Sequence, residues 1–119
     1  VFTGYSNNVS QIMKASEIYI MSSRFEGLPM VLLEAMSQGM ACISYDCVTG
    51  PSEIITHEVN GILVEDQNQE ALRAGLEALV TNETLRLKLS KKAPSSLDKF
   101  NIDVIYKKYL NIFDTIVKK

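Results

Sequence analysis

The chain has 119 residues, of which 46% are hydrophobic and 22% are charged, and its formal net charge is −2. This composition excludes a disordered or repetitive protein and indicates one packed domain with a buried core. The near-neutral charge argues against nucleic acid as a partner, and no apolar run is long enough for a membrane-spanning helix.

The N-terminal half alternates short apolar runs with segments of helical periodicity. Glycine and proline mark the boundaries between them. In chain order, the predicted elements are the end of a strand at 1–4, a helix over 8–15, a strand over 18–21, a helix from Met30 to near Gly39, a strand over 41–45, and one helical turn after Gly50.

The C-terminal half is predicted to be mostly helical. Its elements are, in order, a strand over 61–64, a helix from Asn68, a second helix from Asn82 that Pro94 ends, and a last helix over 102–116. Alternating leucines in the second of these helices would also permit a strand. Lysines are interleaved with apolar positions in this half and predict a solvated helix face.

Short apolar strands that alternate with helices predict a doubly wound α/β fold with a parallel sheet. In such sheets, ligands bind beyond the carboxyl ends of the strands. The segments 22–30 and 45–53 each follow a predicted strand. We therefore expect these two segments to line the same crevice.

The four residues EGLP at 26–29 precede the helix that begins near Met30. The free N–H groups and partial positive charge of a helix N-terminus suit a phosphate or diphosphate, and Gly27 allows close approach of the backbone. Glu26 and Glu34 would bracket this anion and bind neutral hydroxyl groups on either side of it. The pattern fits a nucleotide sugar, although among fourteen acidic residues such a spacing also arises by chance.

The segments SSRFEGLP, LEAM, GPSEII and NGILV together resemble the E-x7-E region of retaining glycosyltransferases with the GT-B fold, glycosyltransferase family four. The resemblance covers nearly the whole chain. It implies a partial Rossmann-like sheet with C-terminal helices, so residues 1–119 would form one incomplete nucleotide-sugar-binding domain. It also implies transfer of a sugar, with retention, from a nucleotide diphosphate sugar that we expect to be UDP-linked.

The resemblance implies roles for individual residues. Glu26 would be the catalytic-site residue that meets hydroxyls of the donor sugar, and Glu34 would bind the ribose hydroxyls. The other binding residues implied are the amides of Gly27, Leu28, Met30 and Val31 for the diphosphate, Ser22 and Ser23 for a phosphate, and Thr49, Gly50 and Glu53 for the far side of the donor pocket. Turn formation by the two serines and helix capping by Glu53 explain those residues equally well.

The chain departs from the family pattern in its extent. The acceptor domain is absent, as are two strands that carry the Arg and Lys used to neutralise the diphosphate, so the chain alone is expected to be inactive. In the family strand order 3-2-1-4-5-6, the 18–21 strand would lose its neighbour. We therefore expect self-association through this edge or displacement of residues 1–4. A monomer by light scattering with residues 1–4 in the family position would exclude this hypothesis.

Partners and location follow from the same resemblance. The expected partners are a nucleotide sugar donor and a glycan or lipid-linked glycan acceptor, without a cofactor, a metal site or nucleic acid. Cys42 and Cys47 lack CxxC spacing and are expected to be reduced thiols. Val1 begins in a strand-like run rather than a signal peptide, which predicts a cytoplasmic protein, with peripheral membrane contact in the full-length enzyme.

Two alternatives of a different class stay open at this stage. The chain could be a non-catalytic nucleotide-binding or assembly module that kept the half-site, or a purely structural α/β domain with a chance pair of glutamates. Paired carboxylates also serve glycoside hydrolysis. A glutamate beside an anion-binding turn suits a charged donor better than a neutral glycan.

Overall fold

The computed structural model describes residues 2–118. Helices and short strands alternate along the chain, as the sequence pattern predicts. The elements are α1 Val9–Lys14, β1 Ile18–Met21, α2 Met30–Ser37, β2 Ala41–Asp46, α3 Pro51–Ile54, β3 Ile62–Glu65, α4 Gln69–Thr81, α5 Glu83–Lys92, a 3₁₀ helix Pro94–Phe100, and α6 Ile102–Val117.

The three strands form one parallel sheet in the order β1-β2-β3. Ile43 in the central strand lies opposite Ile20 in β1 and Ile62 in β3. Five of the six residues of β2 are buried, as expected for a strand with neighbours on both edges and helices on both faces. The predicted α/β fold class with a parallel sheet and C-terminal helices is confirmed.

Two hydrophobic clusters cover the two faces of the sheet. Cys42 belongs to the cluster with α1, α2 and α3, whereas its neighbour Ile43 packs against α4 and α5. Adjacent strand residues point to opposite faces, which explains the division. At Gly75, an added Cβ would lie 2.6 Å from Cδ1 of Ile43, so a larger residue there would force the Ile43 side chain to shift.

The predicted strand end at residues 1–4 is wrong for the part that the structure describes. Val1 lies outside the described residues, and residues 2–4 form no strand. The side chain of Phe2 is fully exposed. Since a short segment gains strand structure only by pairing, the lack of a neighbour explains this difference. Within residues 2–118, β1 pairs only with β2, and self-association through its open edge stays a prediction.

The C-terminal half is helical, and the strand alternative for the segment after Asn82 is wrong. The Asn82 side chain accepts a hydrogen bond from the Leu85 amide at 3.0 Å and thereby caps α5. Pro94 ends α5 as predicted, but it also opens a 3₁₀ helix, because proline is tolerated in a first helical turn. Among residues 2–118, no helix combines the length and apolar character needed to cross a bilayer.

Arg86 joins α5 to the end of α4 and to the residue before β1. Its Nε donates to Oε2 of Glu17 at 2.7 Å, and its Nη1 donates to the carbonyls of Leu79 at 2.9 Å and Val80 at 3.3 Å. These carbonyls belong to the last turn of α4, where acceptors have no partner within the helix. Arg86 therefore donates hydrogen bonds to two carbonyl groups that have no partner within α4.

We expect Arg86→Ala to lower the free energy of unfolding by about 2 kcal/mol, because charge-assisted hydrogen bonds are lost and the carbonyls keep no replacement donor. Urea denaturation measures this change. Arg73→Ala is the matched control, because Arg73 pairs with Glu70 and Glu77 on an exposed helix face. Exposed ion pairs contribute little, so the control should lose much less stability. Equal losses in the two variants would contradict the role given to Arg86.

Candidate donor-binding site

The turn before α2 presents free backbone donors. The amides of Leu32 and Leu33 donate to the carbonyl of Pro29 at 3.0 and 3.3 Å. Met30 and Val31 precede them, so their amides have no acceptor within the helix, and within residues 2–118 they make no other hydrogen bond. The partial positive charge of the helix N-terminus adds to these donors. This end of α2 can hold an anion.

The two loops that follow β1 and β2 meet at this turn, as predicted. The Thr49 hydroxyl donates a hydrogen bond to the carbonyl of Glu26. Gly50 has φ +96°, and a Cβ there would lie 2.3 Å from the carbonyl oxygen of Gly27 and 2.7 Å from Cδ of Pro29. Only glycine allows this approach. The loop after β2 therefore packs directly against the EGLP turn.

Glu26 lines a cavity of about 400 Å³ above β1. The half-buried carboxylate shares this cavity with Ser23 and Tyr19, and Leu28 and Met30 form part of its apolar wall. Burial raises the pKa of the Tyr19 phenol, and the charges of Cys42 and Glu26 add to this effect. Tyr19 therefore stays protonated at neutral pH. The cavity offers hydroxyl groups and one carboxylate, which suits a polyhydroxylated ligand.

Glu34 lies in a second cavity, of about 590 Å³, which contains Ser37 and Asn101. Met30 lines both cavities and separates the two glutamates. Within the described part of the chain, neither Glu26 nor Glu34 forms an ion pair. Both carboxylates are therefore free to accept hydrogen bonds from a ligand that crosses Met30 and the first turn of α2.

The other predicted residues take different positions. Ser22 is exposed and lines neither cavity. Thr49 and Gly50 support the turn through their contacts with Glu26 and Gly27, and a direct ligand contact by either residue stays a prediction. The Glu53 amide donates to the Gly50 carbonyl at 3.1 Å, which stabilises the first turn of α3.

Both cysteines are free and buried. Burial raises the pKa of the Cys42 thiol to about 12. Burial also raises the pKa of Cys47, and the carboxylates of Asp66 and Glu26 add to this shift. Thiols in this state are poor nucleophiles and poor metal ligands at neutral pH. In the part of the chain that the structure describes, no three His, Cys, Asp or Glu side chains come together as a metal site.

The sequence does not predict the contact that Lys99 makes at this site. The lysine pattern predicts a solvated helix face for Lys99, but its Nζ donates to the carbonyl of Glu53. The partners are 46 positions apart, and spacing along the chain carries no signal for such a pair. The 3₁₀ helix is thus joined to α3 beside the turn.

Comparison with known proteins identifies the family to which this chain is similar. Residues 1–96 match the family described as Glycosyl transferases group 1. The chain belongs to the glycosyl transferases group 1 family. The match includes the EGLP turn, both glutamates and all three strands of the sheet. The family is an enzyme family.

Three relatives illustrate the similarity. The amylovoran biosynthesis glycosyltransferase AmsD of Erwinia amylovora is 36% identical over 109 residues, which cover 92% of this chain and 30% of AmsD. The C-terminal domain of the glycosyl transferase group 1 protein LpcC of Francisella tularensis has a TM-score of 0.74 and 29% identity, covering 86% of this chain and 52% of that structure. A TarM variant of Staphylococcus aureus, solved with UDP and alpha-GlcNAc-glycerol, has a TM-score of 0.87 and 26% identity, covering 95% of this chain and 23% of TarM.

The structures of these glycosyl transferases group 1 proteins have the same architecture as the chain. The sheet and the C-terminal helices match Rossmann-like domains of the GT-B fold, and the LpcC match identifies this part as C-terminal-domain structure. The chain spans about a third of the length of AmsD.

Proposed function

We propose that this chain forms the donor-binding half of the active site of a retaining glycosyltransferase of family four. The enzyme would transfer a hexose or N-acetylhexosamine from a UDP-linked donor to a glycan or lipid-linked glycan. The observation that carries the proposal is the free first turn of α2, at Met30 and Val31, between the cavity of Glu26 and the cavity of Glu34.

The proposed donor lies across Met30. Its diphosphate accepts hydrogen bonds from the amides of Met30 and Val31, and the helix dipole stabilises its charge. The sugar enters the cavity of Glu26, where the carboxylate accepts hydrogen bonds from sugar hydroxyls. The ribose meets Glu34 on the other side. This arrangement explains why two carboxylates flank an anion site: each binds neutral hydroxyl groups of the donor rather than the diphosphate itself.

The proposed chemistry places the developing charge on the leaving diphosphate. Donors that are fixed before the reaction stabilise such charge well, because they need no reorganisation in the transition state. We propose that an acceptor hydroxyl attacks the anomeric carbon on the face from which the diphosphate leaves, without a protein nucleophile. The new C–O bond forms as the bond to the diphosphate breaks, the hydroxyl proton passes to the leaving diphosphate, and the configuration is retained. The donor would be a substrate, and no resident cofactor is proposed. The TarM variant solved with UDP supports uridine as the base.

The relatives support a proposal for the wider setting of the reaction. AmsD acts in amylovoran biosynthesis. We propose a comparable role in the assembly of a polysaccharide, at the cytoplasmic side of a membrane, with the acceptor held by the part of the enzyme outside this chain. Turnover by the full-length gene product would separate this proposal from a non-catalytic nucleotide-binding module.

Titration of amide chemical shifts tests the donor site. We expect UDP to shift the amides of Gly27, Leu28 and Met30 saturably, and to do so more strongly than GDP or ADP. Glu34→Ala should weaken UDP binding about tenfold, because the ribose loses a charge-assisted hydrogen bond. Glu77→Ala removes an exposed helix carboxylate elsewhere and should leave the affinity unchanged. Absence of shifts with all three nucleotides at millimolar concentration would contradict the site.

A further inference from the structure

The cavity of Glu26 contains three polar side chains that have no partner in the described part of the protein. Glu26, Tyr19 and Ser23 line it, and all three are half-buried. Within residues 2–118, their side chains form no hydrogen bond and no ion pair. A carboxylate accepts hydrogen bonds, and a hydroxyl both donates and accepts. These groups are therefore available to a ligand in the cavity.

A buried methionine lies between the two hydroxyl residues. Tyr19 and Met21 are two positions apart on β1, so their side chains leave the same face of the sheet. Ser23 follows by the same step just beyond the strand, and all three residues line the cavity. The Met21 side chain is only 5% exposed. The row along β1 is therefore polar at both ends and apolar in the middle.

The opposite wall of the cavity is also apolar. It consists of the side chains of Leu28, Pro29, Met30 and Val31, from the donor turn and the start of α2. A ligand hydroxyl placed against Met21 or this wall would lose water and gain no acceptor, which is unfavourable. A methyl group in the same place would gain free energy by leaving water. The cavity therefore favours a ligand that is polar on one side and carries an apolar group.

The polar groups match the two ends of an amide. An amide N–H donates a hydrogen bond, and the Glu26 carboxylate is an acceptor. An amide carbonyl accepts a hydrogen bond, and the Tyr19 phenol is a donor. Burial raises the pKa of this phenol, so it keeps its proton at neutral pH. An acetamido group presents an N–H, a carbonyl and a methyl group, and each has a counterpart in the cavity.

We propose that the cavity of Glu26 selects a donor sugar that carries an acetamido group, which makes the donor an N-acetylhexosamine rather than a hexose. This inference rests on the proposed function, because the diphosphate at the first turn of α2 directs the sugar into this cavity. The amide N–H donates to Glu26, the amide carbonyl accepts from the Tyr19 hydroxyl, and the methyl group packs against Met21. Ser23 is left for a hydroxyl of the sugar ring.

Two pairs of donors test this selection. The pairs are UDP-glucose with UDP-N-acetylglucosamine, and UDP-galactose with UDP-N-acetylgalactosamine, each titrated against the chain while amide shifts are recorded. Within a pair, only an acetamido group in place of a hydroxyl differs. We expect the N-acetyl member of at least one pair to bind about fivefold more tightly and to shift the amides of Met21 and Ser23. Equal affinities within both pairs would overturn the proposal.

Tyr19→Phe tests the residue that reads the amide carbonyl. The Tyr19 hydroxyl has no hydrogen-bond partner within residues 2–118, so its removal should leave the fold intact. We expect this variant to bind the preferred N-acetyl donor about fivefold more weakly, and UDP as before. Tyr106→Phe removes an exposed hydroxyl from α6 and is the matched control. No loss in Tyr19→Phe, or the same loss for the hexose member of the pair, would overturn the proposal.

Titration with UDP alone separates this inference from the donor site. If UDP shifts Gly27 and Met30 but neither pair shows a preference, the donor site stands and the acetamido inference fails. If UDP shifts neither amide, the donor site fails, and this inference fails with it. UDP binding at the turn, together with an N-acetyl preference that Tyr19→Phe removes, supports both.

Discussion

Replacing Gly50 by alanine is expected to lower the free energy of unfolding by about 3 kcal/mol and to weaken UDP binding about tenfold. Two costs add. The backbone at φ +96° is strained for any residue with a side chain, and the new Cβ would lie 2.3 Å from the carbonyl oxygen of Gly27. Since a backbone oxygen cannot turn away as a side chain can, the EGLP turn must move, and the donors at Met30 move with it.

Gly39→Ala is a matched control that separates the cost of backbone strain from the cost of the steric clash with Gly27. Gly39 also has a positive φ, +76°, but the nearest atom to an added Cβ is the Ser90 carbonyl oxygen at 3.8 Å, an ordinary contact. Gly39→Ala should therefore lose only about 1 kcal/mol and leave UDP binding unchanged. Urea denaturation and UDP titration of both variants provide the comparison. If Gly50→Ala binds UDP as tightly as the control does, the second loop does not position the donor site.

Local signals were sufficient for most of the fold. The continuous apolar run at 41–45 is buried as β2, and Gly39 lies in the left-handed region just beyond α2. The start of α2 at Met30 was predictable from the proline before it and from the apolar periodicity after it. These features depend on a few neighbouring residues. For such elements, secondary structure can be predicted before the tertiary contacts are known.

The elements that sequence reasoning missed depend on distant partners. Residues 2–4 have strand-like composition but no neighbour with which to pair, so they form no strand. The 3₁₀ helix after Pro94 is held by packing against α2 and α5 as well as by its own turn. Packing partners of this kind cannot be identified from periodicity within one segment, because they are brought together only when the chain folds.

The same distinction holds for the candidate site. The turn, its free amides and the two glutamates were predictable, because they lie within one short stretch before and inside α2. The bond from Thr49 to Glu26 joins residues 23 positions apart, and the bond from Lys99 to Glu53 joins residues 46 positions apart. The separation of the two glutamates into adjoining cavities by Met30 also required the structure.

Asn60 is the clearest example of a residue whose role depends on partners that are distant along the chain. The sequence indicates only a turn before β3, but the side chain is 4% exposed and makes three hydrogen bonds. Its Oδ1 accepts from the Thr56 amide at 2.7 Å, and its Nδ2 donates to the Ile54 carbonyl at 3.0 Å and to Oγ of Ser96 at 2.9 Å. One carboxamide thus joins the end of α3, the turn before β3 and the 3₁₀ helix.

We expect Asn60→Ala to lower the free energy of unfolding by about 3 kcal/mol, because a buried amide and carbonyl lose their partner and each such loss costs about 1 to 3 kcal/mol. Asn82→Ala is the control, since it removes an exposed cap of α5 and should cost about 1 kcal/mol. Ser96→Ala removes only one of the three bonds, so its effect and that of Asn60→Ala should not add in the double variant. Additive losses, or a loss for Asn60→Ala no larger than the control, would show that the three segments are held by packing rather than by this side chain.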